Sequence, residues 1–132
     1  MKTVFPLCAV TVLLTLMLPR ANADIIAGPI TNPDNGHDYY LLGSDTWSNS
    51  ETEAESLGGT LAIVKNAAQE DWIYSTFASH GQLNRVLWIG LHRKYPGGPF
   101  VWANGQETNS TYQDWCETQP DNGGGIEDSV DI

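Results

Sequence analysis

Gln119-Pro120-Asp121 places an amide and a carboxylate on either side of a proline, and Glu127-Asp128 follows after the glycines at 123–125. All of these side chains end in hard oxygen donors. Calcium takes about six to eight such oxygens, from carboxylates, amides, backbone carbonyls and water, at about 2.3–2.6 Å. On oxygen chemistry alone Gln119, Asp121, Glu127 and Asp128, with Asn122 beside them, are metal-ligand candidates around Pro120. So few side-chain donors fall short of a full calcium shell. The sequence thus predicts an incomplete site, with very weak or undetectable calcium binding by residues 24–132 alone.

The same carboxylates invite a hydrolytic reading, since paired acids cleave glycosides when they flank the sugar about 5–9.5 Å apart. Glu127 and Asp128 are adjacent, and neighbours on an extended strand point to opposite faces. They cannot flank one sugar together. No nucleophile–histidine–acid arrangement is legible. His37, His80 and His92 lack zinc-ligand spacing and are expected at the surface. The chain is read as a binding protein, not an enzyme.

The site needs a scaffold to hold it. Residues 24–35 are rich in Pro, Asn and Gly and read as a lead-in. Asp38–Leu42 is an aromatic and branched strand. Ser48 to Ser50 offers helix caps, Glu51, Glu53 and Glu55 suit the positive end of a helix, and Gly58-Gly59 ends it. Residues 60–64 read as a short buried strand. Asn66 caps a second helix with Gln69 three residues on. Ala68 with Trp72, and Ile73 with Phe77, form its apolar face. Residues 87–91 read as a central strand, and 100–102 as its neighbour after Pro96-Gly97-Gly98-Pro99. Residues 103–125 form a long polar loop anchored by Tyr112 and Trp115, the kind of loop that carries function. Residues 126–132 begin another strand. Trp88, Trp72 and Trp102 are expected in the core, and Lys65, Arg93 and Lys94 in solvent.

The first 23 residues combine Lys2, an apolar run from Val4 to Leu18, and Ala21-Asn22-Ala23. That pattern is a secretory signal peptide cleaved at about Ala23. The apolar run is shorter than the ~20 residues of a spanning helix, and no later transmembrane segment is seen. The expected product is secreted, periplasmic or extracellular. It keeps four basic residues against 16 acidic ones, a net charge of −12. Such a surface repels phosphate backbones, so nucleic acid is excluded as a partner. Only Cys116 remains, so no intramolecular disulfide is expected. Asn109-Ser110-Thr111 is formally a glycosylation acceptor.

Four marks in order carry a family resemblance: Leu57-Gly58-Gly59-Thr60-Leu61-Ala62, Trp88-Ile89-Gly90-Leu91, Trp115 with Gln119-Pro120-Asp121, and Glu127-Asp128-Ser129-Val130. Together they resemble the C-type lectin-like domain over residues 36–132. The resemblance implies an α+β fold of two helices and short antiparallel sheets with a long irregular ligand loop. It implies that Gln119, Asp121 and Glu127 hold one Ca2+ ion at most and contact sugar hydroxyls through it. Pro120 in this family is typically cis. The Gln-Pro-Asp order is the galactose-type one, although no aromatic platform follows it here. Ala54 and Ser129 stand where the family usually has cysteines, which suggests a bacterial-type exported lectin. The family's Trp-Asn-Asp strand is not found by Ile132, so the chain is expected to be a domain lacking its C-terminal strand. The expected function is calcium-dependent binding of carbohydrate or a glycoconjugate. The alternative is a calcium-independent adhesion or protein-binding module on the same fold.

Overall fold

The computed structural model describes residues 24–108 and 112–132. The segment read as a signal peptide and the glycosylation acceptor lie outside the described residues. Five strands and two α-helices follow in order among the described residues. These are β1 (Ile25–Thr31), β2 (Asp38–Leu42), α1 (Trp47–Ser56), α2 (Ala67–Phe77), β3 (Trp88–Arg93), β4 (Phe100–Trp102) and β5 (Ser129–Asp131). β1 and β2 form an antiparallel pair, with Ile30 opposite Tyr39. β4, β3 and β5 form a second antiparallel sheet with β3 in the middle. The fold is α+β, as the sequence implies.

The cap of helix α1 lies two residues before the first of the serines. Thr46 is its cap and accepts from the Asn49 amide at 3.3 Å. Glu51 does not serve the helix dipole. It is 9% exposed and accepts from the Leu61 amide at 2.7 Å, pinning the chain that follows. The helix ends as Gly58-Gly59 predicts. Gly59 donates to the Ala54 carbonyl at 3.0 Å and Gly58 to that of Glu55 at 2.9 Å, with Gly58 at φ +88°. This is a Schellman closure, and the positive φ suits a residue without a side chain.

Asn66 caps α2 by accepting from the Gln69 amide at 2.8 Å. Gln69 does not close the reciprocal half of a capping box. Its side chain donates to the Tyr39 hydroxyl and the Ile63 carbonyl, both at 2.8 Å, and accepts from Lys65 at 3.1 Å. One buried amide thus ties β2, the interhelical segment and α2 together. The inward face of α2 is Gln69, Ile73 and Phe77, while Ala68 is exposed.

Further expectations change in the strands. The lead-in carries β1, because Ile25, Ile26 and Ile30 give it strand character despite Gly28 and Pro29. Residues 60–64 are extended but join no ladder. They cross β3 through a single bond from Gly90 to the Ala62 carbonyl at 2.9 Å. That crossing explains Gly90, since a Cβ there would lie 2.7 Å from the Leu61 carbonyl oxygen. Trp88 is 40% exposed rather than core, and its indole donates to the Asp45 carbonyl at 3.1 Å.

The core gathers Leu41, Val64, Ile73, Phe77, Leu87, Ile89, Leu91 and Trp102. Trp102 is 2% exposed. Trp72 is half-buried between Tyr39 and Phe77. Trp47 donates to the Ile89 carbonyl at 2.8 Å and so fixes α1 to β3. His92 is not a simple surface residue. It is half-buried, with its ring 4.4 Å from that of Trp47.

Candidate functional site

The first limb of the site is a self-contained turn. Gln119 donates its backbone amide to the Cys116 carbonyl at 2.8 Å, and the Gln119–Pro120 peptide is cis. The Gln119 side chain is engaged at both ends. Its amide nitrogen donates to Asp121 Oδ1 at 3.3 Å, and its oxygen accepts from the Asp121 amide at 3.2 Å. Asp121 Oδ1 also accepts from the Gly123 amide at 3.0 Å. Gln119, Pro120 and Asp121 are all exposed.

The chain then reverses. Asn122 takes the left-handed conformation at φ 56°, which Asn tolerates better than most side chains. Gly124 and Gly125 continue it at φ 66° and 73°. The reversal brings Glu127 back to Asp121. A Cβ on Gly123 would lie 2.9 Å from Glu127 Oε1 and 3.5 Å from Asp121 Oδ1. Both carboxylates therefore converge on one glycine. Glu127 Oε2 and Asn122 Oδ1 are buried without a hydrogen-bond partner in the protein, which leaves them to be met by water, an ion or a ligand.

The second limb is tied to the sheet. The Arg93 amide donates to the Asp128 carbonyl at 2.8 Å. The Arg93 side chain donates to the Glu127 carbonyl at 3.0 Å and to that of Gly98 at 2.8 Å. Its guanidinium carbon sits 4.3 Å from the Phe100 ring centroid, and Arg93 Nε is 3.8 Å from Asp128 Oδ1. Phe100 in turn packs against Trp115 at 5.1 Å. Trp115 donates to Gln113 at 3.0 Å.

Arg93 was expected in solvent, yet its side chain is 10% exposed. The available signal was register. Ile89, Leu91 and Arg93 share one face of β3 at a spacing of two, and Phe100 lies opposite Arg93. An arginine on the buried face of a central strand has to find acceptors.

All the convergent donors are oxygens, a set that suits a hard cation such as calcium and not zinc. Among the described residues no three His, Cys, Asp or Glu side chains meet, so a calcium shell here must draw on amide oxygens as well. Gln119, Asp121, Asn122 and Glu127 fit that requirement. Tyr112 is half-buried beside the core and donates to Asp114 at 3.3 Å. Glu70 and then burial push its pKa up, so it stays protonated. Cys116 is an exposed free thiol. A separate cleft of about 970 Å³ is lined by Leu41, Ala54, Leu57, Ile63 and Leu87, and takes in none of residues 119–128.

The family model described as "Lectin C-type domain" matches residues 43–132. The hepatic lectin of Gallus gallus is 28% identical over 94 residues, covering 71% of this chain and 43% of that protein. The type-2 ice-structuring protein of Hemitripterus americanus is 31% identical over 83 residues, covering 63% and 46%. The chain spans about half the length of the curated relatives it matches. Among solved structures, that of the C-type lectin CEL-I from Cucumaria echinata superposes with a TM-score of 0.58 at 30% identity, covering 66% of each chain. These relatives are animal proteins, which lends no support to a bacterial-type origin. The chain belongs to the C-type lectin domain family.

Proposed function

We propose that this domain binds carbohydrate in a calcium-dependent way, with Gln119, Asp121 and Glu127 as the ion's protein ligands. The observation that carries the reading is the convergence of the Asp121 and Glu127 carboxylates on Gly123, with Glu127 Oε2 buried and unpartnered. A bound calcium ion would accept vicinal sugar hydroxyls into its shell. The residues prepare for that: Asp121 and Glu127 supply charge, and Gln119 supplies an amide whose oxygen accepts and whose nitrogen donates. Asn122 is a further oxygen donor at the same turn.

The Gln-Pro-Asp order points to galactose-type sugars. Two relatives carry names of that kind. Nattectin of Thalassophryne nattereri, 30% identical over 82 residues, is named a galactose-specific lectin. A lectin of Patiria pectinifera, 30% identical over 94 residues, is named for α-N-acetylgalactosamine. We read residues 1–23 as an export signal, so that the domain works outside the cytoplasm, where calcium is plentiful. With three side-chain donors, the expected calcium affinity lies at the weak end, Kd of about 10⁻⁴–10⁻³ M.

A second reading keeps the fold and drops the sugar. The relative named for structuring ice shows that its name carries no sugar, and a fold does not fix a function. Binding to a glycan array, with and without chelator, separates the two. The lectin reading expects galactose-type glycans to be retained only with calcium. Binding that survives the chelator, or no glycan bound under either condition, sinks it.

A further inference from the structure

A guanidinium buried in a small domain is costly unless its donors are met. Arg93 meets that condition in an unusual place. Its side chain is 10% exposed, donates to the carbonyls of Gly98 and Glu127, and rests on the Phe100 ring. Arg93 Nε to Asp128 Oδ1 is 3.8 Å, too long for a direct hydrogen bond, and Asp128 Oδ1 has no hydrogen-bond partner. The attraction there is charge alone. The backbone adds a fixed bond, from the Arg93 amide to the Asp128 carbonyl.

These contacts fall on the residue next to a candidate ligand and on that ligand's own carbonyl. We propose that Arg93 is a positioning residue of the site, a resident cation that fixes the Glu127–Asp128 limb before any ligand arrives. The inference rests on the lectin reading given above. It assigns the two neighbouring acids different work. Asp128 faces the guanidinium as its counter-charge. Glu127 surrenders only its carbonyl to Arg93, which leaves its carboxylate free toward Gly123 and Asp121. The aromatic base extends the same support to the other limb, because Phe100 packs on Trp115 in the loop that leads to Gln119.

A purely structural role, bracing the β3–β4 turn through Gly98, makes a different prediction. It touches stability but not the limb's readiness for calcium. The test compares Arg93→Met, Arg93→Lys, Asp128→Asn and Glu127→Gln with the unaltered protein. Folding is checked by circular dichroism, calcium binding by tryptophan fluorescence, and limb order by amide exchange at residues 126–130 without calcium. Arg93→Met is expected to lower calcium affinity about tenfold to a hundredfold, as loss of an outer-shell partner does. It is expected to speed limb exchange about tenfold while the β1–β2 pair keeps its protection. Arg93→Lys keeps the charge but not the fork, so it should fall between. It also stands in if the methionine variant does not fold. Asp128→Asn should weaken calcium by less than about threefold, the scale of a part-exposed ion pair.

The proposal is overturned if a folded Arg93→Met protein keeps its limb exchange. It is equally overturned if Asp128→Asn costs as much as Glu127→Gln. Failure of the unaltered protein to bind calcium or sugar defeats the lectin reading instead, and the exchange comparison still decides the role of Arg93.

Discussion

Gln119 and Asp121 bond chiefly to each other and to Gly123, all within four residues. Glu127 and Asp128 are fastened to strand β3 through Arg93, 34 and 35 positions earlier in the chain. One limb is a local turn in solvent, and the other belongs to the packed sheet. A ligand entering between them meets unequal partners. The Glu127 carboxylate has an oxygen already unpartnered. Gln119 Oε1 already accepts from the Asp121 amide, so one of its two lone pairs is taken before any ion arrives. The site thus has a preset half and a half that is recruited.

The largest effect should come from their shared foundation. Trp102, the last residue of β4, pairs with Leu91 of β3 and is 2% exposed, and Trp102→Ala should cost about 3–5 kcal/mol. Chemical denaturation would show it, and both limbs should lose order together. If only one limb loosened, the two would not rest on a common core.

Next is the preset carboxylate against the recruited amide. Glu127→Gln should weaken calcium about a hundredfold, ~2.7 kcal/mol. Gln119→Ala should cost about tenfold, ~1.4 kcal/mol, because a neutral amide oxygen attracts a cation less than a carboxylate does. Calorimetric titration of both variants checks the order, and equal losses would erase the distinction between the limbs.

Gly123→Ala probes the space between them. The new methyl would sit 2.9 Å from Glu127 Oε1 and 3.5 Å from Asp121 Oδ1. Calcium affinity should fall several-fold while stability shifts by no more than about 0.5 kcal/mol. Unchanged affinity would mean that the carboxylates do not need to converge there.

The smallest effect lies away from both limbs. Burial raises the Glu51 pKa above its ordinary value, against the opposing bond from Leu61. The folded state then holds this proton more tightly than the unfolded one. Glu51 therefore lowers stability once pH rises through its raised pKa, and the loss is recovered on acidification toward the ordinary carboxylate range. Urea midpoints between pH 7 and pH 4.5 should show a component of that sign. Glu51→Gln should remove it.

The contrast between the limbs also explains what could be read in the sequence. Gln119-Pro120-Asp121 is legible because its geometry is local. The two helix ends at Gly58-Gly59 and Asn66 are legible for the same reason, as each cap is set by residues within a turn. The β3–β4 pairing followed from two apolar runs around a Pro-Gly-Gly-Pro turn. Arg93 was misread because its acceptors are backbone carbonyls that no residue type announces: Gly98 across the turn, and Glu127 on the returning limb. Glu51 was misassigned to the helix dipole for the same reason, since its partner is Leu61 across a loop. Trp88 looked like core by type, and the backbone carbonyl of Asp45 holds it at the surface instead.

The central claim is that Glu127, held ready by the sheet, joins Asp121 and Gln119 around one calcium ion that carries the sugar. Galactose binding by the unaltered protein and by Glu127→Gln, each titrated across calcium concentration, tests it most directly. The account predicts saturable galactose binding that appears only as calcium is added and that needs about a hundredfold more calcium in Glu127→Gln. Galactose binding that is independent of calcium, or that persists undiminished in Glu127→Gln, would contradict it.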